Sequence, residues 1–186
     1  MEETGTKDIS LDVCGKRYKL IDLIGHGKGG YSYLAECDGR RVVLKQIHHE
    51  PCDYYTFGNK IEAERRDYER LKRIGIMIPE LYELDPVSER IVKEYIEGPT
   101  VFELVRDRVS VEPYLEQVRE MAERARSHGL NLDYFPTNFV VQTATGRLFY
   151  IDYECNDYSD EWSFENWGIH YWSRTPEFMQ HLAKCQ

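Results

Sequence analysis

A glycine-rich stretch in the first half of the chain has the composition of a phosphate-binding turn. The residues from Ile24 to Tyr31 contain the pattern G-x-G-x-x-G. Glycines let the backbone approach phosphate groups closely and direct N–H groups at them. We expect phosphate contacts from Gly25, His26, Gly27, Lys28, Gly29 and Gly30. A plain glycine-rich hairpin turn is the alternative, whereas a dinucleotide-binding fingerprint is set aside because a strand, not a helix, is predicted to follow.

Two charged residues on apolar faces form a second candidate group. Lys45 follows the apolar residues Val-Val-Leu in a predicted strand. In an otherwise apolar strand its ammonium is expected to point toward the interior or a cleft. An ammonium there needs an anionic partner, because an uncompensated buried charge is costly. Glu64 lies on the apolar stripe of a helix predicted over 60–74, whereas Glu62 lies off that stripe. We predict an ion pair between Lys45 and Glu64. Taken singly, either residue is also explained as a charge at the edge of its apolar face that extends into water.

A predicted hairpin over 139–152 brings two further polar residues together. Apolar runs flank a turn through Thr-Ala-Thr-Gly, and a hairpin centred near Thr145 sets Asn138 opposite Asp152 at its open end. Taken singly, Asn138 is equally well explained as a cap at the start of a strand and Asp152 as a residue at the end of one.

The elements that must position these residues change class once along the chain. Strands are predicted near 18–24, 31–37, 41–48, 80–84 and 90–96, with the helix over 60–74 between the third and the fourth. After residue 98 the pattern becomes helical, at 100–108 and 111–128, with a short last helix after Thr175. We therefore predict a first lobe over 1–98 and a second over 99–186. The three tryptophans, Trp162, Trp167 and Trp172, are predicted to belong to the core of the second lobe and not to a ligand cage.

Length and composition limit the classes of function. The chain has 186 residues, a net charge of −9 and five cysteines at irregular spacing. The negative charge disfavours nucleic acid as a partner, although a nucleotide can still be neutralised inside a cleft by amides, one lysine and a metal ion. Neither a disulfide framework nor a zinc site is indicated, and no apolar run is long enough for a membrane span. We expect a protein of the reducing cytoplasm.

In order and spacing, these residues resemble the protein-kinase-like superfamily. Its glycine-rich loop, strand-three lysine and helix-C glutamate match the glycine turn, Lys45 and Glu64. The stretch Val-Lys-Glu-Tyr-Ile-Glu-Gly at 92–98 is similar to the kinase hinge, in which main-chain groups at the positions of Glu94 and Ile96 hold adenine. The resemblance covers about residues 18 to 154 and implies ATP as a substrate.

The catalytic loop of the same family, H-R-D-x-x-x-x-N, resembles the stretch Asn-Leu-Asp-Tyr-Phe-Pro-Thr-Asn at 131–138. The resemblance implies that Asp133 orients or deprotonates the acceptor hydroxyl, and that Asn138 and Asp152 ligate Mg²⁺. The implied fold class is α+β, a two-lobed protein-kinase-like fold with a five-stranded antiparallel N-lobe plus one helix and a shortened, mainly helical C-lobe. The implied activity is transfer of the γ-phosphoryl group of ATP to a hydroxyl of a protein, at serine or threonine, or of a small molecule.

Several positions depart from the common protein-kinase pattern. Asn131 stands where the family has histidine, Phe135 where many members have a lysine, and Glu154 where they have the glycine of D-F-G. An acidic residue at the last of these positions resembles the compact RIO, lipopolysaccharide-core (KDO) and aminoglycoside or choline kinases. The substituted loop and the short second lobe leave a second interpretation open, a pseudokinase that binds nucleotide and acts as a regulator or interaction module.

Overall fold

The structure is a computed structural model, and it describes residues 9–27, 29–49 and 59–184. The chain divides into two compact units, Met1–Arg65 with Glu80–Tyr95, and Arg66–Pro79 with Ile96–Gln186. The first unit holds an antiparallel sheet and the second holds most of the helices, so the predicted α+β, kinase-like architecture is confirmed. The lobe boundary at residue 98 stays a prediction.

The first unit is built on one twisted antiparallel sheet. Its strands are β1 (Ser10–Val13), β2 (Lys16–Gly27), β3 (Gly30–Cys37), β4 (Arg40–Ile47), β5 (Leu81–Asp85) and β6 (Arg90–Glu94). They lie in the order β1-β2-β3-β4-β6-β5. In the described residues the sheet thus has six strands, and the prediction of five missed β1. That strand is only four residues long, and it joins β2 through a tight turn in which Cys14 and Gly15 have positive φ.

Buried residues of the first unit lie on both faces of this sheet. Alternate residues of the strands point to one face, as period-two patterning requires, and there they form the cluster Val13, Tyr18, Ala35, Val42, Leu44 and Val92. The other face carries Ile47 and Ile91. The helix α1 (Lys60–Arg73) begins in this unit. Its Ile61 packs against Ile47 of β4 and Ile91 of β6, and this packing fixes which side of the helix meets the sheet.

In its described residues the second unit contains the remainder of α1 after Arg65, three further helices and two short strand pairs. The helices are α2 (Val101–Arg106), α3 (Glu112–Arg126) and α4 (Pro176–Lys184). The strands are β7 (Leu130–Leu132), β8 (Phe139–Val141), β9 (Leu148–Tyr150) and β10 (Cys155–Asp157), with β8 paired to β9 and β7 to β10. Between them lie short 3₁₀ turns at Pro136–Asn138, Asp160–Trp162 and Gly168–Tyr171.

Aromatic side chains fill the core of the second unit. Trp172 is 1% exposed, and its indole N–H donates to the carbonyl of Tyr134 at 2.9 Å. Trp162, by contrast, is 51% exposed and Trp167 is half-buried. The prediction that all three tryptophans are core residues is therefore wrong for Trp162. Among the described residues, no helix combines the length and apolar character that a membrane crossing requires.

Candidate functional site

The glycine-rich turn closes the hairpin between β2 and β3. Gly27 pairs with Gly30 at its tip, and a strand follows it, which agrees with setting a dinucleotide fold aside. A side chain at Gly30 would collide with the carbonyl oxygen of Gln46, so only glycine fits there. His26 stacks on Tyr31 with ring centroids 4.5 Å apart, which braces the turn. Lys28 lies outside the described residues.

Lys45 and Glu64 form the predicted ion pair. The Lys45 ammonium contacts Glu64 Oε1, and the two side chains are only 14% and 15% exposed. Glu62 instead pairs with Arg65 at 2.7 Å on the solvent face of α1, so the apolar stripe identified the correct carboxylate. Each of these two mostly buried charges stabilises the other, because removing one leaves the other without a compensating charge.

The ion pair lies beside the glycine turn. A Cβ atom built on Gly29 would be 3.6 Å from Lys45 Nζ, so the ammonium faces the backbone of the turn. Backbone amides of glycines and one ammonium together make an environment that attracts phosphate oxygens. This geometry lies within the first unit and needs only the described residues of β2, β3, β4 and α1.

The second unit holds Asp133 in a tight loop after β7. Its Oδ1 accepts a hydrogen bond from the Phe135 amide at 3.0 Å, and its carbonyl accepts one from Asn138 Nδ2 at 3.3 Å. Asp133 is partly exposed. These bonds fix the loop around the carboxylate while leaving it access to solvent, which is what a residue that orients a substrate hydroxyl needs.

Asn138 and Asp152 lie at the same end of the β8–β9 hairpin, but not in the predicted register. Phe139 pairs with Tyr150, and the Ile151 amide donates to the Asn138 carbonyl at 2.8 Å. Asn138 thus faces Ile151, one residue before Asp152, and the predicted pairing of Asn138 with Asp152 is wrong by one position. The cause is the turn: Gln142 bonds to Arg147, which centres the hairpin half a residue before Thr145.

The side-chain oxygens of Asn138 and Asp152 suit a hard cation. Asp152 Oδ1 accepts from the Tyr153 amide at 2.8 Å, and Asp152 Oδ2 has no hydrogen-bond partner among the described residues. The described residues contain no group of three or more His, Cys, Asp or Glu able to hold a metal ion. One carboxylate and one amide oxygen fit Mg²⁺ in a nucleotide enzyme, since that ion is usually bound by one or two carboxylates plus substrate phosphates.

Tyr150 is a site residue that sequence reasoning missed. Its hydroxyl accepts from the Asp133 amide at 3.2 Å and donates to the Glu154 carbonyl at 2.6 Å. Burial raises the pKa of Tyr150 well above its usual value, and the nearby Asp152 carboxylate adds to the effect. The hydroxyl therefore stays protonated and ties the loop of Asp133 to the segment that follows Asp152. The apolar run Leu-Phe-Tyr-Ile carried no signal beyond an inward-facing strand residue.

For the ATP-dependent enzyme that the sequence predicts, we expect Tyr150→Phe to lower kcat more than it changes the KM for ATP, because the change removes the link between the two loops and leaves two polar groups without their partner. The loss of a hydrogen bond of this kind costs about 1–3 kcal/mol. Steady-state kinetics and thermal unfolding check this. Because the hydroxyl does not titrate in the working range, the pH profile should keep its shape. A changed profile would contradict the positioning role.

The predicted hinge residues lie at the end of β6 and just after it. The Glu94 amide donates to the Glu80 carbonyl at 2.8 Å, within the first unit. Ile96, in the second unit, is 4% exposed and packs with Val140 and Phe149. Gly98 has φ near +157°, and a side chain on it would overlap the carbonyl of Val141, so this position accepts only glycine. The adenine-binding role of Glu94 and Ile96 stays a prediction.

Comparison with known proteins gives three relatives. YrzF of Bacillus subtilis, named as a candidate serine/threonine-protein kinase, is 27% identical over 147 residues, which are 78% of this chain and 64% of that protein. The EKC/KEOPS complex subunit bud32 of Dictyostelium discoideum is 24% identical over 161 residues, 80% of this chain and 62% of that protein. The KEOPS complex subunit Bud32 of Pyrococcus abyssi is 26% identical over 172 residues, 84% of this chain and 77% of that protein.

No protein-family model matches the chain. The match spans less than two thirds of the length of the first two relatives. The predicted resemblance to compact protein-kinase-like proteins is confirmed.

Proposed function

We propose that this compact protein-kinase-like chain is an ATP- and magnesium-dependent phosphotransferase that acts on a hydroxyl group. The observation that carries the proposal is the buried pair of Lys45 and Glu64 against the glycine turn. A buried ammonium beside glycine amides costs desolvation energy that a fold stabilised only for packing has no reason to bear. Binding of phosphate oxygens supplies that reason.

In the proposed reaction, Lys45 and the amides of the glycine turn hold the phosphates of ATP. Asn138 and Asp152 would hold Mg²⁺, which when bound neutralises charge on the phosphate oxygens. Asp133 orients the acceptor hydroxyl and takes its proton as the hydroxyl oxygen bonds to the γ-phosphorus. The bond from that phosphorus to the bridging oxygen breaks, and ADP leaves with the electron pair. Catalysis is thus mostly positioning and electrostatic stabilisation.

The position of Phe135 predicts a slow enzyme. Many members of this superfamily have a lysine at this position. Without that lysine, one cation fewer stabilises the negative charge that develops on the transferred phosphoryl group. Loss of one electrostatic donor typically costs ~10²–10³ in rate.

The pseudokinase interpretation is less favoured, because Lys45, Glu64, Asp133, Asn138 and Asp152 are all present. We keep cytoplasmic residence as a prediction; in the described part of the chain Cys14, Cys37 and Cys155 are free thiols.

Turnover of γ-labelled ATP by the purified chain tests the proposal. We expect slow release or transfer of label with Mg²⁺ or Mn²⁺ and none with a chelator, assayed with a serine peptide, with amino alcohols and with water as acceptors. Nucleotide binding measured with and without the metal accompanies the assay. A chain that binds ATP but transfers no label to any acceptor or to water, with either metal, would support the regulator instead.

A further inference from the structure

A histidine outside the predicted site contacts the glycine turn. The strand β4 ends at Ile47, and His48 follows it directly. His48 Nε2 lies 3.0 Å from the carbonyl oxygen of Gly27, the last residue of β2. A carbonyl oxygen only accepts hydrogen bonds, so Nε2 carries the proton and His48 is the donor. Because a peptide unit is planar, this bond fixes the orientation of the whole unit that closes β2.

Two further rings pack against His48 on its side of the turn. The rings of His26 and Tyr31 stack on each other, and their centroids lie 5.6 Å and 5.1 Å from that of His48. His26 and Tyr31 are partners across β2 and β3. Contact with two rings restricts the imidazole to few orientations and keeps it directed at the Gly27 carbonyl.

His48 and Lys45 reach the turn from opposite faces of the sheet. Tyr31 pairs with Gln46, so these two side chains lie on the same face. Successive residues of a strand point to opposite faces, so Lys45 lies on the other face. The ring group with His48 is therefore on one side of the glycine turn, and the ammonium of Lys45 is on the other.

The helix α1 supports both contacts. Lys60, its first residue, donates from Nζ to the carbonyl of His48 at 2.6 Å. Glu64 forms the ion pair with Lys45. Residues four apart lie on the same side of a helix, so one side of α1 fixes both residues that reach the turn. All of these contacts lie within the first unit.

The turn does not itself require glycine at position 27. The φ of Gly27 lies outside the left-handed region, and a Cβ atom built on it would have no neighbour within 4 Å. An alanine would therefore fit this position without strain. Glycine without such a need is typical of places where a ligand approaches the backbone closely, so the open space beside Gly27 suits a bound group.

We infer that His48 is a positioning residue for phosphate binding, and that it acts through the Gly27 carbonyl to keep the glycine turn in the geometry in which its amides meet the phosphates of the nucleotide. The inference rests on the proposed function. Glycine loses more conformational freedom on ordering than any other residue. A turn that is already fixed before the nucleotide arrives avoids that cost at the moment of binding.

Calorimetric titration of the full chain with ATP and with adenosine, both in the presence of Mg²⁺, tests this role. His48→Ala should weaken ATP binding about tenfold, the effect of one lost hydrogen bond, and leave adenosine binding unchanged because adenosine has no phosphate. His48→Gln keeps an N–H donor and should recover most of the affinity for ATP. His49→Ala is the matched control, because His49 contacts Glu89 and not the turn, and it should bind ATP as the parent does.

A measurement on the parent protein does not depend on the folding of any variant. In the spectrum of ¹⁵N-histidine-labelled protein, we expect the His48 ring, assigned through its proximity to the Tyr31 ring, to be protonated at Nε2. Its signals should shift when ADP is added and stay in place with adenosine, whereas those of His49 should not respond to either. An unprotonated Nε2, or a His48 ring that ignores ADP, would overturn the inference.

The outcomes separate this inference from the proposed function. Equal losses of ATP and adenosine affinity in His48→Ala, or no loss of either, would refute the positioning role while turnover by the parent leaves the phosphotransferase standing. A loss confined to ATP in a chain that shows no turnover would support the positioning role and remove the phosphotransferase. A parent protein that binds no ATP would overturn both.

Discussion

Replacing Lys45 by methionine is expected to abolish ATP turnover, with a loss of at least ~10²–10³-fold, because the ammonium is the side-chain cation that faces the glycine turn. The substitution also leaves Glu64 as a charge at 15% exposure without its partner. Breaking a buried pair from one side costs about 3–5 kcal/mol. Turnover of labelled ATP and chemical denaturation measure the two effects separately.

Three companion variants separate catalysis from folding. Lys45→Arg keeps a positive charge near Glu64 and should retain most of the stability, but it cannot reproduce a compact point charge and should still lose turnover. The double variant Lys45→Met with Glu64→Gln removes both charges and should recover part of the lost stability without restoring turnover. Lys19→Met, at an exposed position of β2, should match the parent in both measurements. Full turnover by a folded Lys45→Met protein would refute the assignment of Lys45.

Asp152→Asn is expected to remove magnesium-dependent ATP binding, whereas Asp133→Asn should leave binding near the parent value and remove phosphoryl transfer. Asparagine keeps an oxygen for the Tyr153 amide in the first variant and for the Phe135 amide in the second, so local structure is preserved. Even residues that only orient metal ligands change metal affinity by 10–100-fold when mutated, so loss of a direct ligand should cost ~10²-fold or more.

Calorimetric titration of ATP with and without Mg²⁺ checks this division of labour, alongside single-turnover transfer. Glu154→Gln, an exposed acidic residue two positions from Asp152, is the control and should behave as the parent in binding. Equal loss of ATP affinity in the two aspartate variants would show that Asp133 supports the structure and not the acceptor. Undiminished metal dependence in Asp152→Asn would remove that residue from the metal site.

Local pattern was sufficient for the ion pair. The strand before Lys45 alternates in burial, and the stripe on α1 placed Glu64 inward and Glu62 outward, as the structure has them. The inference for Lys45 used the apolar residues before it and the cost of an unpaired charge, and the inference for Glu64 used the helical period of the apolar stripe. Residues close in sequence carry that information completely, because helix and strand periods are properties of the backbone.

Contacts that depend on turn geometry were harder to predict from the sequence. The register of β8 and β9 depends on which residues close the turn, and a half-residue error in its centre moved the partner of Asn138 from Asp152 to Ile151. The hydroxyl of Tyr150 forms hydrogen bonds with a residue 17 positions away and with one four positions away, and the periodicity of the sequence predicts neither of them.

The sequence by itself determined the order of the motifs, the α+β class and the choice of Glu64 as the partner of Lys45, because these follow from periodicity and from charge placed on apolar faces. Only the tertiary structure decided that Trp172 is core while Trp162 lies open at the surface, and that Phe135 stands at the centre of a ring cluster beside Asp133. Burial of a large side chain depends on the neighbours that distant segments supply, and one-dimensional spacing does not contain them.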